Sequence, residues 1–212
     1  MLNPVRGLID ASAAAIALLA MVVLWLAGAG DLSRRVSLAV YGLTMVSLYT
    51  VSCLYHSVPW RETWKHRMQR LDHSMIYVLI AGTYTPIAAI VLGGWLRPAT
   101  LGVIWGITIV GVGQKLLLPR IPAAFAVALT TTQGWLAVLL LVPLAHLLPW
   151  PALAWTITGG VLYTVGMIFL VTGRPRLWPR VFSHHEAMHV LVVSATACHF
   201  FMTLRYIAPY SG

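Results

Sequence analysis

Seven runs of mainly apolar residues follow one another along the chain, at about 11–30, 36–56, 72–92, 99–118, 122–142, 150–172 and 185–207. Each is close to the roughly 20 residues that a helix needs to cross the hydrocarbon core of a bilayer. No water is available there to satisfy exposed peptide groups, so each run must close its hydrogen bonds internally as a helix. The expected fold is therefore all-α: a polytopic membrane protein with seven transmembrane helices, built as one membrane domain over residues 1–212. Composition agrees. Charged residues make up 9% of the 212 and hydrophobic residues 59%, with a mean hydropathy of +0.84. A water-soluble domain carries about 25% charged residues, so a soluble globule is excluded.

The formal net charge is +9, which in a soluble chain would raise nucleic acid as a partner. Here the basic residues are scattered between apolar runs and form no soluble basic domain, so membrane lipid is the expected partner and nucleic acid is not. With the N-terminus in the cytoplasm, the inner segments hold Arg6, Arg61, Lys65, Arg67, Arg70, Lys115, Arg120, Arg174, Arg176 and Arg180. The outer ones hold only Arg34, Arg35, Arg97 and Arg205. Positive residues concentrate on the cytoplasmic side, so the expected orientation is N-terminus inside and C-terminus outside, in the inner (plasma) membrane. Arg6 ahead of the first run and "AGAG" behind it resemble a secretory signal. The run exceeds the about 7–15 apolar residues of such signals and six more follow, so an uncleaved helix is expected.

Local signals are fewer. Cys53 and Cys198 lie inside apolar runs without C-x-x-C spacing and read as small buried hydrophobes rather than a disulfide. Pro86 and Pro143 are expected to kink or stop their spans. Gly102 and Gly106 form a G-x-x-x-G pair of the kind that marks close helix packing. The segment "PWRETWKHRMQRL" places Trp64, Met68 and Leu71 at helical spacing. It reads either as an amphipathic turn or two in the inner headgroup layer or as a solvated loop.

Polar residues at membrane depth are costly unless paired or bound to metal, so their positions are informative. Span parity brings three span ends to one membrane face, the cytoplasmic one in the expected orientation. The second span ends on Ser52-x-x-x-His56, the third starts at Asp72-His73, and the seventh starts with His184-His185-Glu186-x-x-His189. Residues four apart share a helix face, so His185 and His189 can hold one Zn²⁺. His56 supplies a third ligand and leaves a fourth position for water, the pattern of catalytic rather than structural zinc. Asp72 is a candidate general base or orienting group for that water. Ser52, one turn before His56, is placed to hydrogen-bond the water or a substrate carbonyl. His73, His184 and His199 read as bystanders, and His66 and His146 as interfacial.

His185-Glu186-Ala187-Met188-His189 also spells H-E-x-x-H, the signature of many zinc proteases. The metzincin continuation is absent from "HVLVVSATACH", and Glu186 is the last acidic residue, so no distal Asp ligand follows. The stretches "SCLYHSVPW", "RLDHSMIYVLIAGTYTP", "GGVLYTVGMIFL" and "FSHHEAMHVLVVSATACHF" instead resemble the bacterial hemolysin III proteins. Those are relatives of the progestin and adipoQ (adiponectin) receptors and, more distantly, of the alkaline ceramidases. The resemblance covers about residues 40–200. It implies that Ser52, His56, Asp72, His185 and His189 match the family motif, with the three histidines as zinc ligands and Glu186 outside it.

Three functions are compatible with this reading. The first is a membrane-embedded hydrolase of lipid amide or ester bonds, with Asp72 and Ser52 as catalytic groups and zinc as cofactor. The second is a non-catalytic sensor or receptor of lipid state in which zinc ties helices together. The third is the cytolysin that the family name advertises. Bacterial relatives are associated with steady membrane composition, which the first two both accommodate.

Overall fold

The computed structural model describes residues 4–118, 122–178 and 181–211. Among them lie eight α-helices: α1 Pro4–Ala27, α2 Leu32–Ser57, α3 Glu62–Pro86, α4 Leu96–Leu117, α5 Ala123–Trp135, α6 Ala137–Leu147, α7 Trp150–Thr172 and α8 His184–Met202. Helix α3 runs on through a π-helical turn at Ile87–Val91, and α8 through another at Thr203–Ile207. Seven units are long and apolar enough to cross a membrane, α5 and α6 forming two halves of the fifth. The expected all-α, seven-span architecture is therefore the one observed. Arg120 and Arg180, counted with the inner charges, lie outside the described residues.

Two helices start earlier than the apolar pattern indicates. Helix α1 begins at Pro4 rather than at about residue 11. Proline suits a first helical position because its missing N–H is one that the first turn leaves unpaired anyway. Helix α3 begins at Glu62 rather than at about residue 72, so "PWRETWKHRMQRL" is a short connection over 59–61 followed by helical turns that are continuous with α3. The spacing of Trp64, Met68 and Leu71 indicates those turns. Val58 leaves the helical region (φ −85°, ψ 132°) ahead of Pro59, which stops α2. The chain re-enters a helix at Glu62, whose carboxylate favours a helix N-terminus and lies 3.7 Å from Lys65. Arg67 covers the Trp64 ring at 5.0 Å.

Each helix packs on the next in sequence, and α8 closes the ring against α1. The outer surface is apolar: Leu19 is 69% exposed, and Ile109 and Leu139 72% each, as expected where lipid is the solvent. Polar contacts fasten the crossings. Arg34 at the start of α2 donates to the carbonyls of Ala208 (2.9 Å) and Tyr210 (2.6 Å) just past α8. At the opposite end Arg70 of α3 donates to the Leu118 carbonyl after α4 at 3.0 Å. The Gln133 amide on α5 donates to Thr108 of α4 at 2.8 Å, and the Tyr77 hydroxyl of α3 donates to the Ala126 carbonyl at 3.0 Å.

Pro86 ends the α-helical part of α3. A proline offers no N–H to the preceding turn, and the helix widens there, with the Leu92 N–H bonding the Ile87 carbonyl five residues back at 3.2 Å. The two π-helical turns meet in an apolar cluster of Ile87, Ala88, Val91, Met202 and Ile207. Pro143 lies inside α6, and the break in the fifth span falls at Leu136 instead, after Gly134.

The Gly102/Gly106 expectation is overturned. A Cβ on either residue would meet nothing within 4 Å, because both sit on the outer face of α4. Close packing occurs at Gly82 of α3, where a Cβ would overlap the Thr44 side chain of α2. Gly82→Val should therefore destabilise the bundle by about 1–3 kcal/mol through overpacking, while Gly106→Val should leave it unchanged within error. Thermal melts of the two variants in detergent test this, and equal melting temperatures would refute the packing assignment.

Candidate metal centre

Four helix segments converge at one end of the bundle: the last turn of α2, the third turn of α3, and the first turns of α1 and α8. His56 arrives from α2, and His185 and His189 from successive turns of α8. The His56 ring centroid is 5.5 Å from that of His185 and 5.1 Å from that of His189, both nearly edge-on. The two α8 rings are stacked at 5.1 Å with 11° between their planes. One ligand atom from each of the three lies within 4.8 Å of the others. Small ring rotations bring such a set to the about 2.0–2.1 Å of a Zn–N bond.

The donor set fits a cation on chemical grounds as well. His56 is 4% and His189 7% exposed, and the Nε2 of His189 is buried without a hydrogen-bond partner. A buried polar atom left unpaired is destabilising, and a metal ion satisfies it. The group can therefore hold a metal ion.

Asp72 sits ten residues into α3, half-buried, so it is not a helix cap. Ser52 is 5% exposed, one turn before His56, and its hydroxyl lies within hydrogen-bonding reach of the Asp72 carboxylate. Helix α3 thus brings a carboxylate beside the three-histidine group, and α2 brings a hydroxyl. His184 faces its own helix start, 3.4 Å from the Ser183 hydroxyl. His199 stacks on Tyr163 of α7 at 5.8 Å, farther along α8. Neither belongs to the ligand group, nor do Cys53, His66, His73, His146 or Cys198.

Glu186 has a different task from a protease base. Its Oε1 accepts a 2.6 Å hydrogen bond from the Arg6 guanidinium of α1. Its Oε2 accepts the Ser183 backbone N–H at 2.8 Å, the reach-back bond of a capping box at the start of α8. Both oxygens are committed to structure.

Sequence reasoning missed Asp10. It is 1% exposed in α1, and its Oδ1 lies 3.0 Å from the Nδ1 of His189. The signal was present: the start of the first span shares a membrane face with the start of the seventh. Placing that span at residue 11 left the only acid of the segment outside it.

The family model described as "Haemolysin-III related" matches residues 3–200. The chain belongs to that family. It is 36% identical over 180 residues to the "Hemolysin-3" of Bacillus cereus, covering 85% of this chain and 79% of that one. The "Hemolysin-3 homolog" of Bacillus subtilis is 32% identical over 188 residues, 89% of this chain and 85% of that one. The human "Monocyte to macrophage differentiation factor", a relative of the adiponectin receptors, is 23% identical over 189 residues, 84% of this chain and 73% of that one. This haemolysin-III-related chain is a multi-pass membrane protein.

If Glu186 serves the helix start, Glu186→Ala should leave metal binding intact and lower stability by about 1–2 kcal/mol, in the range of a lost cap. Metal analysis together with a thermal melt checks this. Loss of bound metal at unchanged stability would return Glu186 to the centre itself.

Proposed function

We propose that this haemolysin-III-related protein is a zinc-dependent hydrolase of lipid amide or ester bonds, set in the inner membrane with its N-terminus in the cytoplasm and contributing to membrane lipid homeostasis. The observation that carries the reading is the asymmetry of the centre. Three imidazoles form the ligand group, while the Asp72 carboxylate and Ser52 hydroxyl stand beside it as groups of another kind. A structural zinc site is normally closed by four protein ligands, whereas a catalytic one keeps a position open. Among divalent ions that accept imidazole, zinc is the one that serves hydrolysis without redox chemistry.

Zinc held there supplies a water with a pKa near about 7 and polarises a carbonyl. The chain's own groups do the rest. His56, His185 and His189 hold the ion, and Asp72 takes the proton released by the attacking water and passes it to the leaving nitrogen or oxygen. Ser52 donates to the Asp72 carboxylate until that group takes the proton, and is then free to donate to the carbonyl oxygen of the lipid. Water is thereby added across one C–N or C–O bond, giving a fatty acid and an amine or alcohol. The apolar outer walls suit a substrate whose acyl chain stays in the bilayer.

A second reading has its own support. The three ligands come from α2 and α8, so a metal there ties together two helices distant in sequence, as a non-catalytic sensor of lipid state would use it. Cytolysis, the third reading, rests on the name of the family and of its Bacillus members alone.

Metal content comes first: about one zinc per chain in the purified wild type, absent from His56→Ala and His189→Ala. Folded wild type without zinc would sink the proposal. Asp72→Asn separates the readings. It should keep its zinc and lose lipid hydrolysis by about 10²–10⁴-fold, the usual worth of a general base. Hydrolysis unaffected by Asp72→Asn would remove Asp72 from the catalytic role, and hydrolysis absent from wild type across amide and ester lipids favours the sensor. Zinc-independent leakage of liposomes favours the cytolysin.

A further inference from the structure

Asp10 has no place in the ligand group, and it is not among the residues that match the family motif. We propose that it is a positioning residue for the metal centre: its carboxylate accepts the Nδ1–H of His189 and so commits Nε2 of that ring as the metal donor. The proposal rests on the reading of the three histidines as metal ligands.

Three observations carry it. The contact is short and shielded, 3.0 Å from Nδ1 to Oδ1, with Asp10 at 1% exposure. A neutral imidazole has one N–H and one lone pair. A carboxylate can only accept, so the Asp10 contact places the proton on Nδ1 and the lone pair on Nε2. That Nε2 is the buried atom with no hydrogen-bond partner, on a ring 5.1 Å from both His56 and His185. Metal-ligating histidines commonly have their second nitrogen held in this way by a carboxylate, which fixes tautomer and ring orientation.

The third observation concerns how Asp10 is held. Helix α1 packs mainly on α2 and touches α8 over a short stretch. Within it Arg6, one turn before Asp10, grips Glu186, one turn before His189. Two contacts in adjacent turns fix both the rotation and the height of α1 against α8. Asp10 therefore has little freedom to leave the ring it holds.

The test uses the full-length protein in detergent, stripped with chelator and reloaded. Zinc affinity is measured by chelator competition, and the visible spectrum of the Co²⁺ form reports ligand geometry. Asp10→Asn should bind zinc about 10–100-fold more weakly, the usual effect of losing such a partner, with an altered cobalt spectrum. Arg6→Gln is the control for helix docking: it should lower the melting temperature, weaken zinc clearly less than Asp10→Asn does, and leave the cobalt spectrum near wild type. Isotope-labelled histidine NMR of metal-free wild type gives a readout independent of any variant, and His189 should be the Nδ1–H tautomer. An Asp10→Asn variant with wild-type affinity and spectrum overturns the positioning role alone, as does an Nε2–H tautomer for His189. Affinity losses equal in Asp10→Asn and Arg6→Gln reduce Asp10 to a docking contact and overturn it too. A folded wild type that takes up neither zinc nor cobalt overturns the metal reading together with this one.

Discussion

An ionisable side chain inside a membrane persists only where a partner receives it, and the arrangement of α1 depends on that constraint. Apolar matching alone sets the place of a membrane helix weakly, because lipid tails are as good a neighbour for leucine as another leucine is. The outward side chains of α1, such as Leu19 at 69% exposure, would sit in lipid almost as well after a rotation. Asp10 and Arg6 would not. Turning or sliding α1 by one residue would strand Asp10 away from His189 and Arg6 away from Glu186, leaving charges unpaired. Two polar contacts thus close a ring that the apolar surfaces leave loose, and they close it at the candidate metal centre.

The H-E-x-x-H spelling shows how one spacing serves different ends. Four-residue spacing puts the two imidazoles on one face whatever the chemistry, and here they meet a histidine from another helix. The glutamate between them is decided by its partners. In Ser183-x-x-Glu186 the same residue also completes a capping box, and the Ser183 N–H and Arg6 guanidinium take both its oxygens. The capping signature and the protease signature overlap in the same letters, and the Ser183 and Arg6 contacts distinguish them.

Legibility followed range. Hydropathy counts residues along the chain, so the seven spans and their order were readable, and parity then placed His56, Asp72, His185 and His189 at one end. Helix starts at Pro4 and Glu62 were not readable that way, because both lie in polar segments that continue a helix beyond its apolar part. The Gly102/Gly106 pair misled for a related reason. A G-x-x-x-G spacing says that two glycines share a face, not what that face meets, and on α4 it meets nothing within the chain. Asp10 fell between these cases: its depth was misjudged by a few residues, and its partner lies 179 positions away.

Helix α8 shows why the centre sits at the end of the bundle rather than at mid-depth. At about 100° per residue, His185, His189, Thr196, His199 and Thr203 all fall within about 40° of one line, so α8 carries one polar stripe toward the interior. Along its middle the stripe meets neutral partners. The Tyr49 and Tyr163 hydroxyls both lie 2.7 Å from the Thr196 hydroxyl, and His199 packs on the Tyr163 ring where Gly159 leaves room for it. Hydroxyl pairs satisfy one another and carry no net charge, which suits the depth at which charge is most costly. Toward the helix start the partners change to the Asp10 carboxylate and a third imidazole from α2. A dication needs negative charge and nitrogen donors close by, and both come together where the stripe nears the start of α8. The same polar face thus closes the bundle at mid-depth and carries the candidate metal ligands at one end.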